Sequence, residues 1–312
     1  MVGWSDPVTR EDSTSGLRVP GEPQVIRVLV LGANGMLGAT VSRVLASDRR
    51  FEVIAATRNG GNGALAFDAG SDSIADLLDV AGCSWIVNAI GILERHIDES
   101  DPSSVALAND INGSFPTRLA TAAGDGRRVL HISSDGIFSG NRPPYDEWAP
   151  ADADGVYAKS KALGEVRSAN VLTLRCSIVG VEVASANSLL GWALSQPPGA
   201  HISGYTNHCW NGITTLHFAK LCAAAILAED DLPSVLHPIP ADSVSKARLL
   251  QLGLEAFGRQ DVTVVEEPSP VAVDRTLCTV HPEVNRRLWA AAGYPHSPTI
   301  ARMVRELASF SA

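Results

Sequence analysis

The apolar run VIRVLVLG (25–32) passes without a break into GANGMLG (32–38) and then into ATVSRVLAS (39–47). A strand, a glycine turn and a helix in that order leave few options for the fold. Gly32 at the strand end permits a tight turn, Gly35 allows backbone to approach a pyrophosphate, and Gly38 allows the helix to pack closely against the strand. Asn34, Met36 and Leu37 fill the turn, and the helix start offers unpaired N–H groups with partial positive charge. The G-x-x-G-x-x-G spacing differs by one residue from the commoner dinucleotide fingerprint. A dinucleotide phosphate site at the start of an α/β fold is the expectation.

Short apolar runs continue at 51–58, 85–91, 128–134 and 171–180, with amphipathic stretches of helical length beginning near Met36, Ser73, Asp110 and Gly155. Alternation of this kind implies a Rossmann-type, doubly wound parallel sheet. Beyond Gly180 the pattern loosens: helices are expected over 186–199, 214–229, 243–258 and 296–310, and a further strand over 234–240. The organisation expected is a mobile tail over 1–24 and a nucleotide-binding domain over 25–181, to which 211–242 returns. A smaller substrate-binding lobe would be built from 182–210 and 243–312.

A net charge of −9 with no basic run speaks against nucleic acid, which needs a Lys/Arg stripe to neutralise phosphates. The five cysteines contain no C-x-x-C pair, and the histidines, His201 and His208 included, show no metal-binding spacing, so no metal is expected. The polar N-terminus has no signal-peptide core, and no apolar run reaches the ~20 residues of a membrane span. A cytoplasmic, soluble protein follows as the expectation.

The second apolar run ends in Thr57, Arg58 and Asn59, where an adenosine ribose would sit. An acid there would bind the 2′-hydroxyl of NAD, whereas arginine can pair with a 2′-phosphate, so NADP is the cofactor expected. Asp68, further on, is a candidate acceptor for the adenine amino group. Tyr157 and Lys161 lie four residues apart, one helical turn on the same face.

The ordered motifs GANGMLG (32–38), NAIGI (88–92), the Asn of DING (110–113), ISSDGIFSG (132–140) and YAKSK (157–161) resemble those of extended short-chain dehydrogenases/reductases. Within that group the chain is most similar to the dTDP-4-dehydrorhamnose reductase family. The resemblance spans about residues 25–180. It implies that Tyr157 protonates a carbonyl oxygen as hydride arrives, that Lys161 supplies positive charge beside it, and that Ser134 orients the carbonyl. Because side chains alternate along a strand, only one of Ser133 and Ser134 can face the cleft, and the motif favours Ser134. Ala89, Ile90 and Gly91, after Asn88, would form a backbone shelf beside the cofactor, and Asn112 would support the catalytic water or the lysine by side-chain hydrogen bonding.

Asp135 follows Ser134 as in the reductases, but Gly136 replaces the glutamate that nucleotide-sugar dehydratases need for elimination; it also leaves space where reductases often carry an aromatic. Substrate contacts are expected from Asp135, Asn187, Trp192, Trp210, Asn211 and Arg275, the arginine being suited to a diphosphate. The activity implied is NADPH-dependent reduction of the 4-keto group of a nucleoside-diphosphate 4-keto-6-deoxyhexose, dTDP being the carrier that the resemblance suggests. A non-catalytic NADP-binding regulatory subunit and a nucleotide-sugar epimerase are the alternatives. The partners expected are a nucleotide-sugar substrate and a second copy of the chain in a homodimer, with no nucleic acid and no membrane.

Overall fold

The computed structural model describes residues 25–182, 188–228 and 232–311, so the tail expected over 1–24 lies outside the described residues. Strands β1 (Ile26–Leu31), β2 (Phe51–Thr57), β3 (Leu65–Ala66), β4 (Trp85–Asn88), β5 (Arg128–Ser133) and β6 (Val171–Arg175) join Val235–Leu236 in one sheet. Every pairing in it is parallel, in the spatial order Val235–Leu236, β6, β5, β4, β1, β2, β3. The chain therefore winds outward from β1, returns, and continues on the other side through β4. A ligand crevice belongs at the carboxyl ends of β1 and β4, where the order reverses.

Helices cover both faces of the sheet, which is why Val28, Leu29, Val30 and Leu31 are all fully buried and read as a continuous apolar run. They are α1 (Met36–Ala46), α2 (Ile74–Ala81), α3 (Pro102–Ala108), α4 (Phe115–Ala123) and α5 (Val156–Leu163). The Ser73 side chain caps α2 by accepting from the Asp76 N–H, and Gly82, with φ at 53°, closes it in the left-handed region. A six-residue π-helical turn, Asn109–Ser114, joins α3 to α4.

The apolar run at 171–180 divides in two. β6 ends at Arg175 and β7 (Ile178–Val179) leaves the sheet, because the Ser177 carbonyl accepts from the Ile213 N–H at 2.9 Å. α6 (Leu189–Leu194), β8 (His201–Tyr205), β9 (His208–Trp210), β10 (Ile213–Thr214) and α7 (Thr215–Ile226) follow. Then come β11 (Val235–Leu236), β12 (Val244–Ser245), α8 (Lys246–Ala256), β13 (Thr263–Glu267), β14 (Val273–Asp274), α9 (Pro282–Ala291) and α10 (Ile300–Ser311). β11 is shorter than the strand expected over 234–240, since Pro238 and Pro240 carry no N–H to donate.

The later strands pair in small sheets, β8 with β13 and β9 between β12 and β14. The final helices depart from the lobe expected over 243–312. Ile300, Met303, Val304 and Leu307 repeat at helical spacing and share one apolar cluster with Val28, Val30, Phe218 and Trp289, beneath the main sheet. Among the described residues no helix is long and apolar enough to cross a membrane.

The contact between α1 and β1 depends on a missing side chain. A Cβ on Gly38 would lie 2.2 Å from the Gly32 carbonyl oxygen, so Gly38→Ala must push the helix off the turn. The substitution is expected to destabilise the fold by about 1–3 kcal/mol and to weaken dinucleotide binding. Gly126→Ala, with nothing within 4 Å of the added carbon, should change neither. Thermal unfolding and a cofactor titration on both variants check this; a Gly38→Ala protein that matches wild type in both would show that α1 has room to shift.

Candidate active site

The glycine turn presents backbone to a cleft. Gly32 holds a left-handed φ of 75°, which its lack of a Cβ permits, and directs the chain to Gly35 at the start of α1. No side chain caps this helix, so its first N–H groups are available to an anion. Gly35, Met36 and Leu37 line a cleft of about 520 Å³ together with Ala89, Ile90 and Gly91 on its second wall. These residues fit a dinucleotide: free N–H groups at a helix start, a turn with no side chain in the way, and a backbone shelf opposite. Asn34 is exposed on the outer side of the turn, and Gly38 is buried behind it.

The shelf is held in shape by two buried amides. Asn88 accepts from the Ile90 N–H at 3.2 Å and contacts His131 Nδ1 at 3.2 Å. Burial holds the His131 imidazole well below its usual range, with Lys161 adding to the effect, so this ring is neutral. Asn112, on the π-helical turn, accepts from the Ile92 N–H at 2.8 Å and donates to the Ile92 carbonyl at 2.9 Å and to Ser160 Oγ at 3.2 Å. Its amide thus ties the shelf to α5 one residue from Lys161. A π-turn is a common device for aiming a side chain at a functional site.

Beyond the end of β2, Arg58 Nε lies 3.6 Å from Asp68 Oδ2, with 78% of the arginine side chain exposed. Asp68 also accepts from the Gly70 N–H at 2.9 Å. Asn59 is exposed beside them. Such an ion pair is weak in water, so Arg58 can exchange Asp68 for a stronger anion at little cost.

Ser134, Tyr157 and Lys161 all line the cleft. A Cβ on Gly136 would sit 3.0 Å from Tyr157 Cε1 and 3.1 Å from Ser134 Oγ, so the phenol ring and the hydroxyl flank the same point. The space expected at Gly136 is therefore filled by the Tyr157 ring. Hydrogen bonding distinguishes the serines, both of which line the cleft: Ser133 Oγ donates to Glu165 Oε1 at 2.5 Å, and Ser134 Oγ accepts from the Gly136 N–H at 2.9 Å beside the Tyr157 ring.

Burial pushes the Tyr157 phenol up; the Ser134 hydrogen bond opposes this, Asp135 and Glu94 add to it, and Arg275 draws it down. The phenol is protonated and can donate. Burial lowers the Lys161 ammonium to about 8, against the pull of Glu165, and Nζ donates to the Ile132 carbonyl at 2.6 Å. It remains mostly charged at neutral pH. Glu165 is in turn fixed by Arg175, whose Nε and Nη2 bond the two carboxylate oxygens at 2.8 and 2.5 Å.

Several expected substrate contacts are absent. Trp210 is 2% exposed and its indole N–H donates to Ser177 Oγ at 2.8 Å, so its faces are covered by protein and cannot stack on a base. Trp192 is 40% exposed but does not line the cleft, because Leu189 and Ser188 occupy that edge of α6 and its cap. The Asn211 amide pairs with both backbone groups of Leu277 at 2.7 and 3.0 Å, which fixes its orientation against that segment. Asn187 lies outside the described residues.

Asp135 and Arg275 do come together. Burial raises the Asp135 carboxyl, and Lys246 and then Arg275 oppose that shift. Arg275 Nε is buried without a hydrogen-bond partner. Lys246 escaped sequence reasoning, although a signal exists: it opens α8, where the helix dipole disfavours a cation. Leu93, Arg95, His96, Ser177 and Ile178, also unforeseen, complete the cleft wall, and Arg95 pairs with Glu182 at 3.7 Å.

A parallel sheet with a glycine turn at its switch point, and a serine, a tyrosine and a lysine lining the same cleft, form an arrangement that fits a dinucleotide and resembles the extended short-chain dehydrogenase/reductase type. The chain belongs to the family described as RmlD substrate binding domain, whose model matches residues 26–184. That span contains the glycine turn, the shelf, and Ser134, Tyr157 and Lys161. It is similar to the spore coat polysaccharide biosynthesis protein SpsK of Bacillus subtilis, at 33% identity over 140 residues, 45% of this chain and 47% of the relative. A dTDP-4-dehydrorhamnose reductase of Aggregatibacter actinomycetemcomitans is 30% identical over 145 residues, 45% of each chain. Methionine adenosyltransferase 2 subunit beta of Xenopus tropicalis is 27% identical over 172 residues, 52% of this chain and 46% of the relative. The matches thus span about half the length of these curated relatives. Among solved structures, the dTDP-4-dehydrorhamnose reductase of Bacillus anthracis in complex with NADP superposes with a TM-score of 0.73 at 17% identity, over 94% of this chain and all of the other, a likeness of fold.

Proposed function

We propose that the protein is an NADPH-dependent reductase of a nucleotide sugar, acting on the 4-keto group of a nucleoside-diphosphate 4-keto-6-deoxyhexose, with dTDP as the carrier. The observation that carries this reading is the convergence of Tyr157 and Ser134 on one point of a cleft that begins at the glycine turn. NADPH supplies the hydride when bound. Ser134 Oγ orients the ketone oxygen, Tyr157 donates the proton that turns it into a hydroxyl, and the Lys161 charge favours the phenolate that remains. Lys246 and Arg275, brought in from the lobe, suit the diphosphate. Asp135 is followed by Gly136, so the acid pair used in elimination is missing.

The test follows NADPH oxidation by the purified full chain with the keto nucleotide sugar, with the free keto sugar, and with the parent nucleoside-diphosphate glucose. Only the first should be turned over well. The free sugar should lose kcat as well as affinity, because binding energy at the diphosphate helps to reach the transition state. Arg58→Ala should raise KM for NADPH more than tenfold, about 1.5–3 kcal/mol of charge-assisted bonding, and leave NADH nearly unaffected. Equal losses for both cofactors would remove Arg58 from the 2′-phosphate site. The relationship to the adenosyltransferase subunit supports a second reading, an NADP-binding regulatory subunit; tight NADP binding without turnover of any keto nucleotide sugar would favour it.

A further inference from the structure

The helix that carries Tyr157 and Lys161 has no cap of its own. Gly155, at its N-terminal boundary, has a φ of 83° and offers no side chain to the first turn. The missing acceptor comes from a loop 57 residues earlier: Glu99 Oε1 accepts from the Val156 N–H at 2.8 Å. A Cβ on Gly155 would lie 3.3 Å from that same oxygen, so the glycine both turns the chain and makes room for the carboxylate.

The loop presenting Glu99 is itself tied down. Asp98 Oδ1 accepts from the N–H and hydroxyl of Ser100 at 2.9 and 2.6 Å, and the Asp98 N–H donates to Ser104 Oγ at 2.9 Å. Asp101 caps α3 through the Ser103 N–H. The same loop carries Leu93, Arg95 and His96 on the cleft wall. We infer that Glu99 is a positioning residue: its carboxylate oxygen fixes the first turn of α5, and with it the Tyr157 phenol, against Ser134 and the cleft loop.

This rests on the reductase reading, since its kinetic consequence needs turnover. A small misplacement of a reacting group can cost up to about a hundredfold in rate. Tyr157 sits one residue beyond the clamped N–H. The action is by geometry, because Glu99 is not among the groups whose charge shifts the phenol. An uncharged acceptor should therefore serve.

The experiment compares Glu99→Ala with Glu99→Gln in the full chain, measuring kcat and KM for the keto nucleotide sugar, NADPH affinity, and amide hydrogen exchange over residues 155–163. The Ala variant should lose about five- to twentyfold in kcat with KM and NADPH affinity within twofold, and its α5 first turn should exchange faster. The Gln variant should restore both kcat and protection. A normal kcat or unchanged exchange in the Ala variant overturns the inference. A Gln variant as slow as Ala also overturns it, because charge would then be what matters. If wild type turns over no keto nucleotide sugar, the proposed function fails, and the exchange comparison still decides whether Glu99 clamps the helix.

Discussion

Tyr157→Phe is expected to lower turnover by about two or more orders of magnitude while NADPH still binds. The ring stays, and with it the packing against Gly136; the proton donor goes. In wild type the phenol is held in its protonated form by burial, opposed by the Ser134 hydrogen bond. Phenylalanine leaves Ser134 Oγ its bond from the Gly136 N–H, so the fold should be undisturbed. The check is steady-state kinetics beside a cofactor titration. Near-normal turnover would mean that another group delivers the proton, and lost cofactor binding would mean that the hydroxyl holds the dinucleotide rather than the substrate.

Lys161→Met should abolish most activity and weaken NADPH binding, yet make the folded chain more stable. Lys161 is 6% exposed and its ammonium is lowered from 10.5 to about 8 by burial. A cation whose folded pKa lies below its unfolded value costs stability at every pH below the folded pKa; the cost fades as pH rises from about 8 towards 10.5. After allowing for the Ile132 carbonyl that loses its partner, the gain for methionine at neutral pH is on the order of 1 kcal/mol. It should shrink in alkaline buffer. NADPH affinity of wild type should fall as pH rises through about 8, where the charge is lost, and the Met variant should lack that step. Thermal unfolding and cofactor titrations across pH read both effects. A Met variant less stable than wild type at neutral pH would show that Lys161 supports the fold.

What the sequence made legible was what lies close in the chain. Gly32, Gly35 and Gly38 act through backbone within seven residues, and a fully buried strand such as β1 announces itself as an unbroken apolar run. Tyr157 and Lys161 are one helical turn apart. Alternation and motif favour Ser134 over Ser133, while the acceptor that occupies the Ser133 hydroxyl, Glu165, lies 32 positions away. Trp210 illustrates the opposite case: an aromatic beside a polar loop has the same sequence signature whether it stacks on a base or fills a core, and only the Ser177 contact distinguishes them. Lys246 and Arg275 reach Asp135 across more than a hundred residues, and no local periodicity encodes such a meeting. The same holds for Glu99 and Val156. The division of the 171–180 run, too, depended on pairing with Ile213–Thr214, a partner that the run itself cannot reveal.

The most direct test of the cleft as a reductase site uses NADPH deuterated at the transferable position, with a nucleoside-diphosphate 4-keto-6-deoxyhexose, wild-type chain and Tyr157→Phe in parallel. Wild type should yield a product bearing one deuterium on the former carbonyl carbon and one solvent-derived hydrogen on its oxygen, and the phenylalanine variant should yield almost none. Consumption of NADPH without deuterium in the sugar, or equal labelling by both proteins, would contradict the assignment of Tyr157 and Ser134 to reduction in this cleft.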